Sequence, residues 1–397
     1  MAHLDMRESG VMGAGEQRLI SMVNVGTLTF GPGALARCAV DLLARRARSV
    51  FIVTTEPTLF LCAPLVDALE AAGVTVTLWH DLVGEPTLTE FAAALEATRA
   101  CQADAVVGLG GGSAMDVAKL VAALADGKQR ITEVLGTDLL AGRALWLACI
   151  PTTAGTGSEV TPIAILGDED EDLKKGVVSP HLVPDAAYLD PALTVTMPPS
   201  VTAATGLDAL THCIEAYANR FAHPLVDVYA LGGIRLIAEN LERACTHGDD
   251  LAARSAMMIA SYYGGLCLGP VNTAAVHALA YPLGGEFHIA HGVANALLLP
   301  HVLRFNIETT PERYAAIARA LGADCTGDHA ADALAGVERV IALADACGIK
   351  RRLSDFGIER HAIPRMATAA MKVTRLLDRN PRTLTEADAR AIYEAAW

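Results

Sequence analysis

The stretch AVHALAYPLGGEFHIAHGVAN (residues 275–295) carries three histidines, His277, His288 and His291, around a Pro-Leu-Gly-Gly sequence. Imidazole is the commonest metal ligand among side chains and titrates near neutral pH, so this grouping points to metal binding or proton transfer. A second stretch, GLDALTH (206–212), places Asp208 and His212 four residues apart. On a helix that spacing sets both on one face, one turn apart, where a carboxylate and an imidazole could share an ion. His277 and His291 stand fourteen residues apart, about 21 Å along an unbroken helix and too far to share an ion. Pro282, Gly284 and Gly285 are expected to break that helix and let the chain turn back. Asp208, His212, His277 and His291 would then offer one oxygen and three nitrogen ligands to a divalent ion, and both iron and zinc accept that set. His288 is left as an outer partner of the ligands, pocket lining or plain core.

Two further stretches could cradle a phosphate. GLGGGSAMDVAK (108–119) sits where a strand hands over to a helix. Glycines there let the backbone approach a ligand, and free N–H groups at a helix start favour an anion. Ser113 stands where a dinucleotide fingerprint would have its third glycine, and Ser113 with Asp116 also fits a capping box, a purely structural alternative. PTTAGTGSEVTP (151–162) follows the next strand. Two such turns at the carboxyl ends of parallel strands favour a nucleotide crevice.

These residues need a frame. From about residue 22 to 190, the runs SVFIVTT (49–55), TVTLWH (75–80), DAVVGLG (104–110) and ALWLACIP (144–151) read as buried strands. Helical periodicity fills the gaps at 35–47, 89–101 and 114–126. That alternation predicts a Rossmann-like parallel sheet covered by helices on both faces. AILGDEDEDLKKGVV (164–178) reads as a hairpin or loop with an acidic tip. After MPPSVTA (197–203) the pattern is helical throughout, ending in TEADARAIYEAAW, where Thr385 and Asp388 form a capping-box signature. The expected organisation is a flexible tail at 1–21, an α/β domain at 22–196 and an all-α domain at 197–397.

Composition narrows the function. A chain of 397 residues suits two domains better than one core. Its formal charge of −14, with no basic stripe, argues against nucleic acid. No run of 18 or more apolar residues predicts a membrane span, and the N-terminus does not read as a signal peptide. Nine cysteines, scattered without a C-x-x-C pair, read as reduced thiols in a cytoplasmic protein.

Together GGGSAMDVAK, PTTAGTGSEVTP, GLDALTHCIEAY and HALAYPLGGEFHIAHGVANALLLPH resemble the iron-containing (group III) alcohol dehydrogenase family. NPRTLTEADARAIYEAA (380–396) resembles that family's C-terminal segment, so the likeness runs from about Val25 to Trp397. The resemblance implies a dehydroquinate-synthase-like fold, with NAD(P) on the α/β domain and Fe2+ or Zn2+ on the helical one. It implies Asp208, His212, His277 and His291 as metal ligands and leaves His288 outside that set. It implies Gly110, Gly111, Gly112 and Ser113 under the pyrophosphate, with Asp116 near the turn and Thr152, Thr153 and Thr156 beside the cofactor. Ser158, Thr161 and Lys174 would lie further along the crevice. A small alcohol or aldehyde would be the substrate, the ion its Lewis acid and the nicotinamide its hydride partner. A homodimer or larger homo-oligomer is also implied.

Two departures bear on chemistry. Thr55 stands where many members carry an acid that would bond the adenosine ribose and repel a 2′-phosphate, so NAD is expected and NADP stays open. Tyr281 stands where many members carry a proton-relaying histidine, and a phenol is a poorer shuttle at neutral pH. Water and the cofactor ribose, or His288, would then carry the proton. Other readings compete. A maleylacetate reductase would tend to lack the aspartate ligand, which is present here. A dehydroquinate-synthase-like lyase calls for a basic cluster, where only Arg220 and Arg304 lie near the metal motifs. A non-catalytic binding protein would leave both half-sites unexplained. Ile163, beside the second turn, mildly favours a small, sparsely hydroxylated substrate.

Overall fold

The computed structural model describes residues 18–169 and 173–397, so residues 1–17 of the expected tail and the hairpin tip at 170–172 lie outside the described residues. Residues 18–21 have no regular secondary structure, but the Arg18 guanidinium donates to the Phe221 carbonyl at 2.7 Å.

Nine strands are described: β1 (Thr27–Phe30), β2 (Ser49–Val53), β3 (Thr75–Trp79), β4 (Ala105–Gly110), β5 (Gly136–Thr137), β6 (Trp146–Pro151), β7 (Ile163–Asp168), β8 (Leu173–Val178) and β9 (Ala186–Leu189). Six form one parallel sheet in the order β1-β9-β6-β4-β2-β3. Val50 and Ile52 of β2 pack into one apolar layer, and Phe51 and Val53 into the other. Such strands carry apolar residues at every position because both faces are covered. The covers include α1 (Ala34–Ala44), α2 (Ala63–Ala71), α3 (Leu88–Ala100) and α4 (Gly112–Leu124), followed by the single turn α5 (Ile131–Val134). The chain passes from β2 outward to β3, then returns across β2 to β4. The carboxyl ends of β2 and β4 therefore flank the point where strand order reverses, the usual place for a ligand crevice.

The 164–178 segment is an antiparallel hairpin, β7 against β8, with β5 adding a parallel edge. β8 packs on the helix Ala275–Gly285 of the helical half, so the hairpin reaches across to it. Beyond residue 198 the described elements are helical: α6 (Pro199–Tyr217), α7 (Pro224–Thr246), α8 (Leu251–Leu268), α9 (Ala275–Gly285), α10 (His291–Asn306), α11 (Pro311–Ala320), α12 (His329–Ala346), α13 (Ile363–Ala370), α14 (Thr374–Leu377) and α15 (Glu386–Ala396). The fold class matches the expectation of an α/β half followed by an all-α half. α15 opens with the expected box: Asp388 N donates to Thr385 Oγ1 at 3.2 Å, and Thr385 N to Asp388 Oδ2 at 2.9 Å.

One expectation needs correcting. Pro282 does not end its helix: α9 runs through it to Gly285, and the reversal occupies residues 286–290. Proline costs a helix one N–H bond and crowds the preceding turn, which tertiary packing can offset. Here Pro282 is buried among the helices. The two halves meet at the second glycine-rich turn. Gly157 has φ +63°, and a Cβ there would lie 2.5 Å from Gly265 Cα on α8. Only glycine allows both that backbone conformation and that approach.

Candidate metal centre and cofactor crevice

Helix α6 carries Asp208, His212 and Glu215 at i, i+4 and i+7, hence on one face. Antiparallel packing of α9 and α10 brings His277 and His291 onto that face, with ring centroids 5.2 Å apart. Asp208 Oδ1 lies 3.5 Å from His277 Nε2, 3.7 Å from His212 Nε2 and 3.8 Å from His291 Nε2. Bonds of about 2.0–2.2 Å in a tetrahedral site would set ligand atoms roughly 3.4 Å apart, so these spacings fit a divalent ion. Ligand atoms of Asp208, His277 and His291 all fall within 4.8 Å of one another. His212 lies just outside that trio, its ring stacked on His277 at 4.9 Å.

Burial opposes the charge on Asp208, yet the surrounding imidazoles hold its carboxyl far below the usual carboxylate range. Burial also opposes protonation of His277, but Asp208 and Glu215 outweigh it and push that imidazole up to about 9. Burial drives His291 down to about 3 and lowers His212 too. The pocket thus concentrates negative charge while two imidazoles keep free lone pairs, a combination suited to a cation.

Sequence reasoning missed two members of this cluster. Glu215 accepts from the Val276 amide at 2.6 Å and contacts His277 Nδ1 at 2.6 Å, which aims Nε2 at Asp208. Asn295, one turn beyond His291, places Nδ2 2.8 Å from Asp208 Oδ1, 3.1 Å from His277 Nε2 and 3.2 Å from His291 Nε2. The helical spacing from His212 and from His291 was the available signal for each. A carboxylate behind a ligating imidazole fixes its tautomer and raises its basicity. Glu215→Gln is accordingly expected to weaken metal affinity about 10- to 100-fold, measured by competition with a chromogenic chelator. Unchanged affinity would remove Glu215 from that role.

Across the crevice, α4 begins after Gly111 with no side chain capping it, so the structural alternative of a Ser113–Asp116 capping box is not formed. Ser113 Oγ donates instead to the Gly84 carbonyl at 2.9 Å. A Cβ on Gly111 would lie 3.6 Å from Thr153 Cγ2, and one on Gly112 only 2.8 Å from Thr156 Cγ2. Gly110 closes β4, and its carbonyl accepts from Thr152 N at 2.9 Å. The glycine turn and the Thr152–Thr156 turn therefore face each other around an uncapped helix start, as an anion cradle requires. Thr152 is buried behind them.

Ser158 and Thr161 are buried behind the crevice, and Asp116 is partly buried beside them. They form a buried network around Lys119, a residue the sequence reading did not single out. Lys119 Nζ donates to Ser158 Oγ at 2.8 Å, Thr161 Oγ1 at 3.0 Å and the Ile163 carbonyl at 3.0 Å. Asp116 accepts from Ser158 Oγ at 2.5 Å and from Ile165 N at 2.9 Å.

Thr55 follows β2 and bonds Thr58 Oγ1 at 2.8 Å. Lys174, on the hairpin, pairs with Glu85 at 2.7 Å, and its ammonium lies 5.6 Å from the Tyr281 ring centroid. Neighbouring Lys175 turns to Asp168 instead. Tyr281 sits one turn beyond His277 on α9, and burial raises its phenol. His288 is exposed in the reversal between α9 and α10, with φ +54°.

A cluster that could hold a metal ion and a turn pair that could cradle an anion thus lie in one chain, and known proteins share the arrangement's sequence and fold. Residues 26–191 match the family "Iron-containing alcohol dehydrogenase", and residues 202–397 match "Fe-containing alcohol dehydrogenase family, C-terminal". Long-chain-alcohol dehydrogenase 1 of Geobacillus thermodenitrificans is 41% identical, over 94% of this chain and 98% of its own. The crystal structure of a 1,3-propanediol oxidoreductase superposes with a TM-score of 0.92 at 33% identity, covering 96% of this chain and 100% of that one. A sulfoacetaldehyde reductase from Bifidobacterium kashiwanohense, solved with NAD+, gives 0.86 at 28% identity, covering 96% and 99%. The chain belongs to the iron-containing alcohol dehydrogenase family.

Proposed function

We propose that this protein interconverts a small alcohol and its aldehyde or ketone with NAD(H), using one divalent ion held by Asp208, His212, His277 and His291. The observation that carries this reading is the convergence of three Nε2 atoms on Asp208 Oδ1 at 3.5–3.8 Å, in a chain that also offers an uncapped helix start behind Gly112. When bound, the ion supplies Lewis-acid polarisation of the carbonyl and the nicotinamide supplies or accepts hydride. Fe2+ is the proposed ion, and the same donors accept Zn2+. Gly110, Gly111, Gly112 and Ser113 bind the pyrophosphate, with Thr152, Thr153 and Thr156 flanking it and Lys174 further along. Thr55 stands at the ribose end where an acid would select NAD, with Glu56 next in sequence, so NADP is a second cofactor to assay. Burial raises the Tyr281 phenol, so water and the cofactor ribose, or His288, which is exposed, carry the proton.

The division at residues 196/197 assigns cofactor binding to the first half and metal binding to the second. A helix long and apolar enough to cross a membrane is absent among the described residues. The nine unpaired cysteines fit the expected cytoplasmic setting, and a homodimer is the accompanying assembly. The relatives named above span long-chain alcohol, propanediol and sulfoacetaldehyde, so the substrate panel should cover those classes. Activity with NADH should vanish on chelation and return with ferrous ion or zinc. Full turnover of metal-free protein would overturn the reading in favour of maleylacetate reductase-type chemistry.

A further inference from the structure

Lys119 is fully buried, and its three hydrogen bonds fall on one turn and the strand that follows it. It lies two turns into α4, the helix that starts at Gly112, while its three acceptors lie on Ser158, Thr161 and Ile163. Satisfying three oxygens takes three N–H donors, which a lysine provides only as the ammonium. The charge is matched by Asp116, 3.8 Å away, which in turn accepts from Ser158 and from the β7 backbone. The turn so gripped is the one that presents Thr153 and Thr156 to the glycine cradle. It is also the turn whose Gly157 rests on Gly265 of α8, in the half that carries the histidines.

We propose that Lys119 is a positioning residue for the cofactor: its ammonium locks the Thr152–Thr161 turn onto α4 and so sets the width of the pyrophosphate cradle. It touches no reacting atom. A buried ammonium is costly to desolvate, and an apolar side chain of similar length would fill the volume. What methionine cannot do is fix three oxygens of the opposing turn at once. Misplacing that turn by about 1 Å is enough to cost 10- to 100-fold in a function that depends on its geometry.

This inference rests on the reading of the crevice as a dinucleotide site, so its test separates the two. NADH affinity is measured by fluorescence titration for the wild type, Lys119→Met, the double variant Asp116→Asn/Lys119→Met, and Gly112→Val. Lys119→Met should weaken NADH binding about 10- to 100-fold, with KM for NADH rising further than kcat at saturating cofactor falls, and with bound metal unchanged. The double variant leaves no stranded carboxylate and should remain weak, which carries the test if Lys119→Met alone does not fold. Wild-type affinity in Lys119→Met, or its return in the double variant, overturns the positioning role. Wild-type affinity in Gly112→Val instead overturns the crevice reading itself.

Discussion

Asp208→Asn should purify without metal and lose at least about 10³-fold in turnover, since Lewis-acid stabilisation is worth several kcal/mol and each 1.4 kcal/mol is tenfold. The substitution keeps the volume of a buried side chain and its ability to accept from Asn295, now 2.8 Å away. What it removes is the negative charge around which three imidazoles are gathered. Three neutral nitrogens and an amide leave a divalent ion uncompensated in a buried pocket, where an unpaired charge is most costly. Glu215 would not replace Asp208, because its oxygens are held by Val276 N and His277 Nδ1 on the far side of that ring. Metal content by elemental analysis and steady-state turnover together decide the matter. Retained turnover in metal-free Asp208→Asn would make the cluster structural. Retained metal with lost turnover would point to a wrong ion geometry, and a metal titration of activity would expose it.

How much of this was legible in the sequence follows from where the relevant energy lies. β2, β4 and β6 were readable because burial on both faces demands unbroken apolar runs, and SVFIV, AVVGLG and WLACIP have little else. β1 and β9 are four residues each, and β1 is mostly exposed, so neither carries a pattern above the noise of a loop. The histidine spacing foretold a reversal, but not its position. Pro282 and Gly284 are local signals, and burial of Pro282 among the helices overrides them. Glu215 and Asn295 escaped notice for a related reason. A glutamate and an asparagine on helices are ordinary surface residues until the fold buries them against His277. Lys119 is the extreme case. A lysine in an apolar helix reads as a solvated side chain, and its meaning comes from oxygens on a turn some forty residues later.

The same contrast between local sequence and assembled site governs Gly112. Its α-carbon faces Thr156, and an added Cβ would sit 2.8 Å from Cγ2 and 3.1 Å from Oγ1 of that threonine. Alanine there would already press on the opposing turn, and valine would fill the space between the turn and the start of α4. The first N–H groups of α4 have no side-chain cap, so their pairing with an anion depends on close backbone approach. Each charge-assisted bond of that kind contributes roughly 1.5–3 kcal/mol, so losing access to one or two amounts to at least about tenfold in affinity. Gly112→Val is therefore expected to lose NADH binding by that factor or more. Its metal content should stay at the wild-type level, because the histidine cluster lies on α6, α9 and α10. That split distinguishes a blocked cradle from a misfolded chain, which would lose both. Circular dichroism and metal analysis on the same sample supply the control, and NADH affinity within a factor of about three of wild type would mean that the pyrophosphate lies elsewhere.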